Sequence, residues 1–368
     1  MNAPVLLLSF YGDQLLMAAA EALARGGYTN VHAAIRLAAA VHRTRHLTSC
    51  TTLPDETAGD DATLEALLAL SRKTGAAALL PVRTDDVLFV AKHRERLAGI
   101  HPAPVPDARL VSEVCHKLAF TRLAETHGLP VPRTVAVQPD LDAATVAGRL
   151  GLPLLAKPVI GESGAGIQRV ETVEQLRTVI SQAGPTGHSM LQEEVPGEDV
   201  ALTLLADHGK AFAVIMRKRW FRRRNASPFR PMRDLEFFHH DWLEELGGAF
   251  VRATRFNGIA DFDLRVDVQR RRAWFLECDP RLMGTTCAMA MFGVNVPCLL
   301  VDQALGQLPA GYCARAEAGH FLSMRSLPAW LASGAWRQPR HGPLRMRWRS
   351  LVDDTIAALH QMLKPRRA

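Results

Sequence analysis

No two of the six cysteines, Cys50, Cys115, Cys278, Cys287, Cys298 and Cys313, stand at CxxC spacing. In a chain of 368 residues that absence argues against a zinc ribbon and against a disulfide-rich secreted scaffold. Long apolar runs are missing as well. The longest candidate, AMAMFGVNVPCLLV, is broken by Gly293, Asn295 and Pro297 before it reaches the roughly 20 residues of a membrane helix. The opening MNAPVLLLSFYGDQ has no basic segment ahead of its short VLLL run, so no secretory leader is expected. There is no GxGxxG, no Gly-Lys-Ser/Thr ending of a P-loop, no GxSxG elbow, no internal repeat and no low-complexity tract. These absences leave a soluble, cytoplasmic protein with free thiols as the expectation.

What is present is ordinary globular composition, with 48% hydrophobic and 22% charged residues, enough for two or three domains. The 44 Lys and Arg exceed the 37 Asp and Glu, giving +7, which favours anionic partners such as nucleotides, acidic metabolites or RNA. Strand and helix signals alternate over the first hundred residues: Val5–Phe10, Leu15–Arg25, Val31–Ile35, Leu64–Lys73 and Ala78–Val82. This order predicts a doubly wound parallel sheet. The turn Tyr11-Gly12-Asp13 after the first strand is open to a nucleotide, but its single glycine reads more simply as part of a structural layer. A Pro-rich stretch, 101–106, marks a boundary. Beyond it the pattern predicts a helix over Ser112–His127, a strand at Val135–Val137, a helix at Ala143–Leu150 and a strand at Leu154–Val159. A helix over Thr172–Gln182, opened by a Thr172/Gln175 capping box, leads to strands at Met190–Glu193, Val200–Ala206 and Ala211–Arg217. The last two are joined by hairpin chemistry at Asp207–Lys210, and Ile259–Val268 pairs with Ala273–Glu277. A C-terminal helix is expected at Leu351–Leu363.

Two segments bear chemistry. In the first, a strand delivers Lys157 and a small-residue loop, Gly161–Gly166, follows. Small residues let backbone amides approach an anion closely, and the lysine adds a point charge, a combination suited to polyphosphate. The same stretch also reads as a glycine-rich hairpin loop with a surface lysine. In the second, Glu277 and Asp279 alternate onto one strand face, and Asp263 lies on the neighbouring strand. Three facing carboxylates repel unless a cation intervenes, and oxygen-only donors suit magnesium. Arg281, two residues on, has the planar fork that grips a phosphate. The plainer alternative is a solvated strand end.

Together these segments, in their order from about Val114 to Gln307, resemble the ATP-grasp superfamily of ligases. The resemblance implies a fold of mixed α/β and α+β class. An N-terminal doubly wound parallel-sheet domain (1–112) would precede a two-lobed ATP-grasp domain (113–308) and a small C-terminal subdomain (309–368). It implies Lys117 and Lys157 as nucleotide-binding lysines and a loop holding Glu162, Ser163, Gly164 and Gly166 that closes over the triphosphate. Gln192-Glu193-Glu194-Val195-Pro196-Gly197-Glu198-Asp199 would be the interlobe hinge, with Gln192, Glu193 and Val195 at the adenine edge. Asp199, with Glu198 as its competitor, would meet the ribose. One basic residue among Arg217, Lys218 and Arg219 is implied at the triphosphate, and Lys218 is assigned. Asp263, Glu277 and Asp279 would hold magnesium (manganese as substitute), and Arg281, with Lys157, would act on the transferring group. Two departures stand out: Glu277-Cys278-Asp279-Pro280-Arg281 has Asp279 where the family most often has Asn, and Asp261 competes with Asp263.

On this resemblance the expected reaction is ATP-driven activation of a carboxylate as an acyl phosphate, attacked by an amine, in an amino-acid or dipeptide type of ligase. A bicarbonate-activating enzyme and a non-catalytic ATP- or RNA-binding module are the alternatives. Substrates are small, with an anionic one suggested by the segment from Arg217 to Arg233; membrane and nucleic acid are not expected partners, and a homodimer is a family habit. That basic segment also reads as a solvated loop or a nucleic-acid contact. His239-His240-Asp241 reads as a loop, Trp330, Trp336 and Trp348 as packing of the C-terminal subdomain, and Cys278 as a core residue opposite the carboxylates.

Overall fold

Residues that alternate with both faces apolar make strands covered on both sides, and the first hundred residues follow that rule. The computed structural model describes residues 3–37, 44–161, 164–182, 188–221, 234–337 and 340–346. Strands β1 (Val5–Ser9), β2 (Val31–Ile35), β3 (Ser49–Thr52) and β4 (Ala78–Pro81) form a parallel sheet in the order β3-β2-β1-β4. Helix α1 (Gln14–Arg25) packs on one face, where Leu7, Ala33 and Leu80 point. Helices α2 (Gly59–Thr74) and α3 (Thr84–Lys92) cover the other, meeting Leu6, Leu8 and Leu79. The short α4 (Arg94–Leu97) follows.

The helix expected over Ser112–His127 is two helices, α5 (Ala108–Cys115) and α6 (Lys117–Thr126). His116 between them has extended backbone, and its Nδ1 accepts from the Ala119 N–H at 3.2 Å, capping α6. A cap side chain satisfies an amide that the first helical turn leaves unpaired, so the chain breaks and restarts here. The break frees the Lys117 amide to donate to Val159 O at 2.9 Å.

A small lobe follows, with β5 (Thr134–Ala136), α7 (Ala143–Leu150), β6 (Leu154–Pro158), β7 (Gln168–Val170), α8 (Val173–Ser181) and β8 (Ser189–Glu193). Its antiparallel sheet runs β5-β8-β6-β7 and closes on its own core of Val146, Leu150, Leu154, Leu176 and Leu191. The Thr172/Gln175 capping box opens α8 as expected.

The central sheet is built from β9 (Glu198–Asp207), β10 (Lys210–Arg219), β11 (Leu235–Phe238), β12 (Gly258–Asp267) and β13 (Arg272–Asp279). Helix α9 (Asp241–Ala253) covers one face; its first residue belongs to the triplet 239–241 expected as loop. Helices α10 (Thr286–Met291) and α11 (Val296–Ala304) cross back to pack against α1. Strands β14 (Ala314–Arg315), β15 (Gly319–Leu322) and β16 (Leu344–Met346) extend the central sheet, and α12 (Leu327–Ser333) lies between the last two. The segment from 309 thus contributes strands to the larger sheet: β14 pairs with β10 and β15 with β11. Trp330 is buried and Trp336 is exposed; Trp348 and Leu351–Leu363 lie outside the described residues. Cys278 is buried, as strand alternation requires. No helix among the described residues is long and apolar enough to cross a membrane.

Candidate active site

The three sheets meet around a cleft of about 870 Å³. The small lobe supplies Lys157 from β6 and Gln192 from β8; α6 opens with Lys117 at its first residue. Strands β12 and β13 supply Asp263, Glu277 and Asp279, and the turn beyond β13 supplies Arg281. Gly164 also lines the cleft, its φ of +72° being one that suits glycine. Gly166 stands behind it against Pro158, and Glu162 and Ser163 lie outside the described residues.

Lys117 ties three elements together. Its Nζ donates to Gly161 O at 2.8 Å and pairs with Glu277 Oε2 at 2.6 Å. Lys157 is buried, and its Nζ donates to Gln192 Oε1 at 2.7 Å, while the Gln192 amide donates to Thr134 Oγ1 at 3.0 Å. The Gln192 side chain therefore positions a lysine. Burial lowers the Lys157 ammonium to about 8, against the pull of Glu277, with Lys117 and Arg265 lowering it further.

The carboxylates form a graded row. Burial, and then the charge of Glu277, raise the Asp263 carboxyl well above the usual range. Burial also pushes Glu277 upward, but the Lys117 ammonium and the hydrogen bond with Asp263 outweigh it and hold Glu277 low. Asp279 is raised to about 6 by burial, opposed by Arg281. Arg281 Nη2 meets Asp279 Oδ2 at 3.1 Å, and its Nη1 donates to Leu282 O at 3.2 Å. Among the described residues no group of three or more His, Cys, Asp or Glu forms a ready-made metal cage.

Asp261, the competitor of Asp263, is occupied elsewhere. It forms a fully buried ion pair with Arg217, whose Nη2 lies 2.9 and 3.0 Å from its two oxygens. Thr203 Oγ1 bonds to both, accepting from Arg217 Nη1 at 2.6 Å.

Lys218 requires a correction. Along β10, Arg217 and Arg219 line the cleft, so strand alternation turns Lys218 to the opposite face. There its Nζ pairs with Glu198 at 3.1 Å and Glu236 at 3.6 Å. Residues 222–233 of the basic segment lie outside the described residues.

The hinge residues Gln192, Glu193, Val195 and Asp199 all line the cleft. Besides Gln192, two have their side chains committed: Glu193 binds Arg133 at 2.6 Å, and Asp199 accepts from Arg265 Nη1 at 2.7 Å. A further wall comes from the first sheet, part of it Asp13 of the turn Tyr11-Gly12-Asp13, which sequence alone reads more simply as part of a structural layer. Asp13 and Arg83, an ion pair, project from the chain just after β1 and β4, opposite Thr285 and Ser323. The signal was available, because open parallel sheets place ligands beyond the carboxyl ends of their strands.

A sequence profile of the family described as ATP-grasp in the biosynthetic pathway with Ter operon matches residues 186–325. A D-alanine–D-alanine ligase from Ralstonia pickettii (strain 12J) is 31% identical over 99 residues, which is 27% of this chain and 30% of the relative. The chain thus matches under a third of the length of that curated relative. Among solved structures, the biotin carboxylase domain of 2-oxoglutarate carboxylase from Hydrogenobacter thermophilus, crystallised with MgADP, ADP and bicarbonate, has a TM-score of 0.65. The alignment is 16% identical and covers 87% of this chain and 74% of that one. L-amino acid ligase from Bacillus licheniformis has a TM-score of 0.62 at 15% identity, covering 84% of this chain and 75% of that one. At these identities the likeness to the solved structures is one of fold.

Proposed function

We propose that the chain is an ATP-grasp protein and an ATP- and magnesium-dependent ligase. It activates a carboxylate as an acyl phosphate and passes it to an amine, with an amino acid as the favoured carboxylate. The observation that carries this reading is that two lysines from the small lobe side and the carboxylate–arginine row of the central sheet face one cleft. Anion-binding and cation-binding groups are thus interleaved in one cleft, with Lys117 against Glu277 and Arg281 against Asp279, as a metal-bound polyphosphate needs.

In this reading Lys117 and Lys157 hold phosphate oxygens, Gln192 fixes Lys157, and the backbone around Glu193–Val195 meets the base. Asp199 takes the ribose, and Gly164 lets the loop backbone approach the phosphates. The donor set fits a divalent cation: the carboxylates Asp263, Glu277 and Asp279 line one cleft, with Asp279 beside Arg281. Asp263, Glu277 and Asp279 would hold magnesium, which typically takes only one or two protein carboxylates and fills its shell with phosphate and water. When bound, magnesium neutralises charge building on the transferring phosphoryl group. Arg281 would orient the same group from the side of Asp279. The likeness to a D-alanine–D-alanine ligase favours an amino-acid substrate over bicarbonate.

The test is phosphate release from ATP across pools of carboxylates and amines, with hydroxylamine added to trap an acyl phosphate as hydroxamate. ADP, phosphate and a hydroxamate are expected; AMP and pyrophosphate would indicate adenylation and sink the mechanism. Turnover with bicarbonate as the sole carboxylate would transfer the site to the carboxylase reading. Glu277→Gln should remain folded and lose turnover by about two orders of magnitude or more, and near-normal turnover would remove Glu277 from the metal site.

A further inference from the structure

A second cavity, about 760 Å³, shares no lining residue with the cleft. One wall is α9. That helix turns Leu243, Phe250 and Val251 into the core, and its flank presents Trp242 and Leu246, half-buried against that core, together with Ala249 and Arg252, to the cavity. The other wall is the start of β13, with Arg272 and Trp274, preceded by Arg271 in the β12–β13 turn.

The charge here is lopsided. Arg252, Arg271 and Arg272 are exposed, and none of their guanidinium groups has a hydrogen-bond or ion-pair partner among the described residues. Glu245 is the one carboxylate of the lining. In the same turn Arg270 is tied to Asp267, its Nη1 at 2.8 Å, whereas Arg271 is held at a φ of +49°, a left-handed conformation that non-glycine residues seldom adopt. Trp242 Nε1 already donates to His240 Nε2 at 3.1 Å, so the exposed part of that indole is its apolar ring.

We propose that this cavity binds a small anionic aromatic molecule, its ring against the indoles and its acid group held by the arginines. Planar guanidinium forks suit carboxylate, sulfonate and phosphate oxygens, and indoles supply flat apolar area beside them. An added peptide strand fits less well, because the Phe275 N–H on the outer edge of β13 already donates to Pro130 O at 2.8 Å.

The experiment uses naphthalene-1-sulfonate as the probe, with neutral naphthalene-1-sulfonamide and ring-free methanesulfonate as controls, read by calorimetry on the full chain. Saturable one-to-one binding of the sulfonate is expected, with both controls weaker. Changing Arg271→Gly together with Arg272→Ser should raise its dissociation constant at least about tenfold, leaving ATP binding and the melting temperature unchanged. Glycine accepts the backbone angle at 271; should the double variant still fold poorly, Arg252→Ser gives an independent reading in the same direction. Unchanged sulfonate affinity in these variants, or displacement of the sulfonate by ATP, overturns the proposal. So does a sedimentation result in which the wild type is a dimer and Trp242→Ala a monomer, since a second copy would then own the surface. Tighter binding of an aspartate-rich peptide without aromatic residues would overturn it in favour of an acidic chain.

Discussion

Lys157 shows how environment rewrites a residue that the sequence can only nominate. Its position at the end of a strand before a glycine-rich loop was legible, but its burial and its bond to Gln192 depend on β8, 35 residues later. Because the folded ammonium titrates near 8 and an unfolded lysine near 10.5, the unfolded chain binds more protons between those values. Stability therefore gains from Lys157 as pH rises through that window, while the proposed nucleotide site loses a cation. ATP affinity should fall up to about tenfold per pH unit above 8, and Lys157→Arg should flatten the fall; a flat wild-type profile would show that Lys157 does not meet the nucleotide. The second residue-scale prediction concerns Arg217. Arg217→Met leaves Asp261 buried without its cation, and should destabilise the fold by about 3–5 kcal/mol in chemical denaturation. Sequence reasoning left Asp261 and Asp263 as rivals and chose Lys218 over its neighbours. Only the partner strand's register could separate them, since it shows which side chain is already neutralised and which faces the cleft.

At the scale of elements, what periodicity and capping announce was readable. β2 and α7 fall on their expected bounds, and the turn Asp207–Lys210 places His208 and Gly209 at positive φ as a tight hairpin requires. The elements that were missed lack that local signature. β3 is four residues with partly exposed side chains, and α10 is six residues that hold their shape by packing on α1. The split at His116 was invisible because histidine is a weak breaker, and its capping role appears only with the geometry around Ala119. The link from β8 to β9 turns on Gly197, at φ +111°, where an added Cβ would lie 2.5 Å from the Val266 carbonyl carbon and oxygen. Gly197→Ala should lower stability by more than about 1–3 kcal/mol, because strain and a backbone clash add. Unfolding titrations of the variant check this, and a change under half a kilocalorie per mole would mean that the link relaxes freely.

Across the whole molecule, cores do not follow the divisions that the sequence suggests. One apolar cluster joins β1, β2, β4 and α1 to α10, α11 and the near face of β9–β12. A fragment ending at residue 107 would strand Leu16, Ala20 and Leu23 of α1 in water, and is expected to lack a cooperative melting transition that the full chain shows. A sharp two-state transition of that fragment would show that its sheet is autonomous. The small lobe is different, since Leu150, Leu154, Leu176 and Leu191 close a core of its own. Its divided ownership also changes how the cleft should fail. Asp13 and Arg83 come from the first sheet, Lys157 and Gln192 from the small lobe, and Asp263 and Glu277 from the central one. Such a site works as a coincidence detector: it is complete only when three sheets agree in position. Damage far from any ligand atom, in α11 or at the rim of the first sheet, would then register first as lost occupancy, before any loss of secondary structure.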